Sequence, residues 1–116
     1  MQKKKSLNPI PLSLRDRKRY VVFELLSGKK FSEQETVQAM NKVFLQLFGE
    51  IGLAKMNYST VLFNPRNNKG IVKTNNVSLV EAKSGILFLK GVAGNEVIPR
   101  ILYVSGTINK AKSKMK

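Results

Sequence analysis

Residues 19–26 read RYVVFELL, a run rich in β-branched and aromatic side chains that stops at Ser27 and Gly28. Such a run reads as a strand, because branched and ring side chains pack well on a pleated surface. Successive side chains of a strand point to opposite faces of its sheet. Val21, Phe23 and Leu25 therefore share one face, while Tyr20, Val22 and Leu26 share the other. A strand that is apolar on both faces belongs in the middle of a sheet.

Working outward, Ser32, Glu33, Gln34 and Glu35 form a capping box. The serine oxygen accepts from a free backbone amide, and a glutamate three residues on reciprocates. Val37, Met40, Phe44, Leu47, Phe48 and Ile51 follow at helical spacing, so a helix is expected to run to Gly49 or Gly52. Asn57–Phe63 reads as a second strand. Residues 64–70, NPRNNKG, are dense in turn formers, and Ile71–Thr74 resumes as a third strand, completing a hairpin. Asn76 is placed to cap a second helix over Val77–Leu89, although Gly85 weakens it. Val97–Val104 reads as the last strand, after which SGTINKAKSKMK trails off with alternating lysines and no apolar pattern.

The order is strand, helix, strand, strand, helix, strand. Two crossovers of the usual hand, sharing a hairpin, give a ferredoxin-like α/β (α+β) two-layer sandwich with a four-stranded antiparallel sheet. Strands one and three are then central, and strands two and four are edges. Proline cannot donate to a sheet ladder, so Pro99 fits the edge position this topology assigns it. Both helices pack on one face. The other face stays apolar and requires a cover: a partner, an RNA base or the chain's own tail. The folded domain is expected over residues 15–108, between a basic N-terminal tail at 1–14 and a basic C-terminal tail at 109–116.

Of 116 residues, 21 are Lys or Arg and 7 are Asp or Glu, a net charge of +14. Residues 1–19 carry +6 and residues 109–116 carry +4, leaving only +4 on the 89 between. Charge gathered at two ends points to nucleic acid or another polyanion. The candidate contacts are Lys3, Lys4, Lys5, Arg15, Arg17, Lys18 and Arg19 at one end, and Lys110, Lys112 and Lys114 at the other. Arg66 and Lys69 at the hairpin tip, Lys73 in the third strand and Arg100 in the last complete the set. Each has a plainer alternative. The first run could flank a strand in solvent, the tip could be polar only because it is a tip, and the tail could be merely solubilising. Arg100 could pair across strands with Glu24.

Catalysis by this chain alone finds little support. It has no cysteine and no histidine, which removes disulfides, the commonest zinc ligands, the usual nucleophile and the usual general base. Glu33 and Glu35 belong to the helix cap, and no spacing pairs the other carboxylates for acid–base or metal work. Neither a GxxxxGK[ST] nor a GxGxxG loop occurs. An RNA recognition motif shares the element order, but its third strand needs stacking rings, and GIVKTN at residues 70–75 has none. Contact with RNA is therefore expected through phosphate and shape. No run approaches the roughly 20 apolar residues of a membrane span, and the N-terminus lacks the apolar stretch of a secretory signal. A soluble, cytoplasmic protein is expected, with no membrane partner.

Four stretches resemble one family. LRDRKRYVVFE at residues 14–24 resembles the opening of the Pop-type small protein of ribonuclease P, known in archaea as protein component 2. LFGEIG at 47–52 resembles that family's end of the first helix, and GIVK at 70–73 its third strand. RILYVSGTI at 100–108 is similar to its closing signature, the most specific of the four. Thr74 stands where the family often has cysteine, and the second helix is poorer in arginine than usual. The resemblance implies a non-catalytic subunit of the endoribonuclease that removes the 5′ leader of precursor tRNA. It implies ribonuclease P RNA as partner, precursor tRNA indirectly, the enzyme's TIM-barrel protein subunit, and a homodimer within a heterotetramer. It also implies no cofactor on the protein, with Mg2+ held by the RNA. The rival readings are a stand-alone or ribosomal RNA-binding protein and an anion-processing enzyme.

Overall fold

The computed structural model describes residues 17–116. Its elements run β1 (Lys18–Leu26), α1 (Glu33–Met56), β2 (Ser59–Asn64), β3 (Lys69–Asn75), α2 (Leu79–Leu87), β4 (Gly91–Val92), β5 (Asn95–Glu96), β6 (Ile98–Ser105) and α3 (Ile108–Ser113). The main sheet is antiparallel with strand order β2-β3-β1-β6, so the first and third strands are central. Val21, Val22 and Phe23 are wholly buried, as a strand apolar on both faces requires. Pro99 lies opposite Leu25 on the edge strand β6. The β4–β5 hairpin is a small addition that the sequence pattern did not announce.

Helices α1 and α2 cover one face of the sheet, where Val21, Phe23 and Leu25 meet Met40, Phe44 and Ile86. The capping box is present: the Ser32 hydroxyl oxygen accepts from the Glu35 amide at 3.1 Å, and the Ser32 amide donates to Glu35 Oε1 at 3.1 Å. Glu33 does a different job from the expected one. Its Oε2 accepts from the Phe63 amide at 3.1 Å and ties α1 to β2. The helix breaks at Gly49, whose φ of 71° lies in the left-handed region, but it resumes and continues to Met56. The expected stop at Gly49 or Gly52 is therefore a kink. The resumed half still has Leu53 and Met56 to bury, and that drives it to continue. Asn57, expected in the second strand, is instead the C-cap of α1 at φ 53°.

Gly85 explains itself in packing. A Cβ there would come within 2.6 Å of the Phe44 ring. The residue that lowers the intrinsic helicity of α2 is what lets α1 and α2 touch. The start of α2 also differs from expectation. The helix begins at Leu79 after Ser78, and Asn76 caps nothing. Asn76 instead exchanges two bonds with Arg17: the Arg17 amide donates to its Oδ1 at 2.9 Å, and its own amide donates to the Arg17 carbonyl at 2.7 Å. The turn into α2 is held one residue earlier, where Asn75 Oδ1 accepts from the Ser78 amide at 2.9 Å.

The opposite face of the sheet holds the largest departure. The segment expected to trail off without apolar pattern forms α3, which lies over Val22 and Ile71. Ile108, Ala111 and Met115 recur at helical spacing and face the sheet, with Ala111 at 0 % exposure. Thr107 caps the helix by accepting from the Lys110 amide at 3.3 Å. An irregularity in β6 opposite Val22 and Phe23 lets Leu102 and Tyr103 both join this cluster. The hairpin tip then clasps the chain end: Asn67 Nδ2 donates to the Met115 carbonyl at 2.7 Å, and Lys69 Nζ donates to the Lys116 backbone oxygen at 3.2 Å. The cover for the second face is the chain itself. Replacing Ala111 with Gln crowds and polarises that contact and is expected to cost roughly 2–4 kcal/mol. Lys112→Gln, on the exposed side of α3, stays within about 0.5 kcal/mol. Denaturant midpoints of the two variants check this.

The end of α1 is welded to β3. A helix leaves its last four carbonyls without intrahelical donors. Here the Asn57 amide reaches Ala54 O at 3.2 Å and the Tyr58 amide reaches Leu53 O at 3.2 Å. Asn75 Nδ2 donates to Lys55 O at 2.7 Å, and the Thr74 hydroxyl donates to Met56 O at 3.0 Å. All four are satisfied, two of them by side chains of β3. Thr74 and Asn75 are nearly wholly buried, so neither bond has water to replace it. Thr74→Val keeps the shape and removes the donor, with an expected loss of about 1–3 kcal/mol. Equal unfolding midpoints for variant and parent would refute that accounting.

Candidate nucleic-acid interface

Alternation along β1 places Lys18, Tyr20, Val22 and Glu24 on the face that α3 covers. Register sets Lys73 beside Tyr20, and sets Lys69 and Arg100 beside Glu24. Helix α3 lies between these ends and carries Lys110 and Lys112, with Lys114 as its C-cap, all exposed. One sheet face thus gathers Lys18, Lys69, Lys73, Arg100 and the α3 lysines against a single carboxylate, Glu24. The helical layer behind the sheet is different: α1 and α2 hold four glutamates and three lysines. The charge is sorted by face.

The candidates differ in how free they are. Arg100 pairs with Glu24 across the strands, which is the plainer of its two expected roles, although its side chain is still 57 % exposed. No other ion pair occurs among the described residues. Arg17 and Lys18 are exposed at the start of β1. Arg19 is half-buried, and its Nη1 donates to the Lys18 carbonyl at 2.8 Å, beside Gly106. Arg66 is exposed at the hairpin tip. Lys69 holds the chain end, and Lys114 Nζ lies 4.8 Å from the centre of the Tyr103 ring. Lys3, Lys4, Lys5 and Arg15 lie outside the described residues.

The cationic face is unsuited to base stacking on its strands. Val22 and Ile71 are wholly buried beneath α3, and the Tyr103 ring has Lys114 over it. Among the described residues, no three Asp or Glu side chains come together as metal ligands. Glu24, Glu33 and Glu35 are engaged in the bonds given above. Tyr58, stacked on Phe44 at 4.3 Å, has its hydroxyl pushed up to about 12 by burial, offset in part by its hydrogen bond to Thr60. It stays neutral and serves packing. No helix is long and apolar enough to cross a membrane among the described residues.

Some structural residues escaped the sequence pattern. Asn68, in the turn-forming stretch, is buried. It accepts from the Phe31 amide at 3.3 Å and donates to the Lys29 carbonyl at 2.8 Å. Asn57 was legible only as an asparagine following a helical run, a frequent left-handed cap. With Lys18 and Lys73, Arg17 borders a cleft of about 270 Å3 at the junction of β1, β3 and the end of α1.

This geometry ranks the cations. Neutralising Lys18 or Lys73 with Gln is expected to reduce the salt dependence of RNA binding by about 0.7–0.9 log–log units per lost phosphate contact. Arg100→Gln is expected to change it less, because Glu24 already offsets that charge. Titrations at several salt concentrations check the order, and an Arg100 effect equal to that of Lys73 would reverse it.

Residues 19–116 match the Rpp14/Pop5 family. The chain is 35 % identical to ribonuclease P protein component 2 of Archaeoglobus fulgidus over 105 residues, covering 90 % of this chain and 94 % of that protein. It is 30 % identical to the protein of the same name from Pyrococcus furiosus, over 90 % of this chain and 88 % of the relative. The fold is also similar to a chain in the cryo-EM structure of yeast ribonuclease MRP, with a TM-score of 0.62 and 15 % identity over 78 % of this chain and 75 % of that one.

Proposed function

The chain belongs to the Rpp14/Pop5 family, and on that premise we infer that it is a non-catalytic protein subunit of ribonuclease P. It supports the catalytic RNA as that RNA removes the 5′ leader of precursor tRNA. The observation that carries this reading is the sorting of charge by face. Cations gather on the α3 side of the sheet with one carboxylate among them, Glu24. Such a face lowers repulsion between RNA phosphates brought close together. The chemistry then belongs to the RNA, which would hold the Mg2+. Precursor tRNA is met indirectly, in the cytoplasm.

The helical layer suits a protein instead. Its charge is near balance, and it exposes Ile51 at 76 %, Val80 at 73 % and Phe88 at 56 %. Apolar exposure of this kind on near-neutral helices is what a protein interface covers. The kinked α1 also borders an open groove of about 620 Å3 beside Leu45, Leu53 and Tyr58. This layer is our choice for the enzyme's TIM-barrel protein subunit, with two copies of the chain pairing inside a heterotetramer.

Recovery of the protein from its host under native conditions tests the reading. Ribonuclease P RNA is expected to come with it, together with activity that trims precursor tRNA and is lost on nuclease treatment. Ribosomal RNA in its place would make the chain a ribosomal component. Phosphoester turnover by the purified chain without RNA would make it an enzyme in its own right.

A further inference from the structure

The cleft bordered by Arg17, Lys18, Asn57, Lys73, Thr74 and Asn75 combines three features that diffuse phosphate contact does not require. First, its three cations have no carboxylate partner among the described residues, where ion pairing is confined to Glu24 and Arg100. Second, its walls are fixed. Thr74 and Asn75 are bonded to the last carbonyls of α1, and Arg17 is held through its backbone to Asn76. Those bonds also change the electrostatics. A helix C-terminus ordinarily repels anions through its bare carbonyls, but the four here all accept hydrogen bonds, so the cations at the rim are less opposed. Third, the Asn57 side chain is exposed and makes none of the hydrogen bonds found among the described residues, while its backbone is committed to the left-handed cap.

The volume, about 270 Å3, falls just under the roughly 300–1,000 Å3 typical of small-molecule sites. It offers more room than a bare phosphate needs and too little for a duplex. Sequence-selective RNA recognition commonly takes single-stranded nucleotides whose base edges are free to bond. A carboxamide offers both a donor and an acceptor to such an edge.

We propose that this cleft seats one single-stranded nucleotide of the RNA, its phosphate held by Arg17, Lys18 and Lys73 and its base edge read by the Asn57 carboxamide. This rests on the RNA-binding reading above and adds a base-selective point to a surface that otherwise contacts phosphate and shape. Asn57→Gly is the informative variant, because glycine keeps the left-handed cap without strain and removes only the amide.

The probes are short labelled oligoribonucleotides of each single base, and a duplex of the same length, titrated with the full chain at several salt concentrations. The parent is expected to prefer one base and to bind the single strand over the duplex. Asn57→Gly is expected to remove most of that preference, about tenfold for a two-bond contact, with an unchanged salt slope. Lys73→Gln is expected to weaken all bases alike and lower the slope by about 0.7, whereas Lys42→Gln on α1 leaves both unchanged. A thermal midpoint for Asn57→Gly within a few degrees of the parent would keep any loss from being ascribed to unfolding. No base preference in the parent, or one that survives Asn57→Gly, overturns the proposal. If binding remains salt-dependent but responds only to the α3 lysines, the cleft is wrong and the RNA-binding reading stands. If the parent binds no RNA, both fall together.

Discussion

Strand β1 has no solvent-facing side over its middle third, and the rest of the chain is arranged around that constraint. Val21, Val22 and Phe23 are wholly buried in succession, so cover is required on both faces of the sheet at once. Each such side chain favours burial by about 1.5–3 kcal/mol, which outweighs the order imposed on the short segment that covers it. Helices α1 and α2 supply one layer. The second comes from only a few residues of α3 and the Met115 that follows it, anchored by the hairpin tip. A lysine-rich terminus becomes an ordered part of the domain because it carries the missing apolar side chains.

That arrangement has an electrostatic consequence. The layer that closes the second face is also the most cationic element, so the face made apolar by β1 is converted into a basic exterior. Lysine suits this double duty, since its charged end reaches water while its stem lies along apolar surface. The α1 and α2 layer, with four glutamates against three lysines, acquires no comparable field. The two outer layers of the domain therefore differ in charge. The same cover removes the middle of this sheet face, Val22 and Ile71, from contact with bases.

Rigidity where β1 begins and β3 ends follows from how α1 terminates. Its kink at Gly49 redirects the second half, and its final carbonyls are bonded by Thr74 and Asn75 of a central strand. The helix end and the strand therefore move as one body. Asn57, Lys73 and Arg17 are held at fixed separations by bonds that involve other atoms than those facing the cleft. Preorganisation of this sort lowers the ordering cost when a ligand binds.

The sequence by itself determined the central strand, the capping box, the order of four strands and two helices, the edge position of Pro99 and the family. Each rests on local chemistry or on periodicity that neighbours in the chain reveal. It also marked the basic ends, though not which of their cations lie on the α3 face. The tertiary structure alone decided the rest. Ile108, Ala111 and Met115 are too small or too separated by lysines to stand out as a stripe until a sheet face is there to receive them. Asn76 is as good a cap as Asn75 until the Arg17 backbone claims it. Arg100 is a free cation or an ion-pair partner depending only on register, and register set it against Glu24. Local preferences choose the elements, but contacts between residues far apart in the chain exist only once those elements have packed.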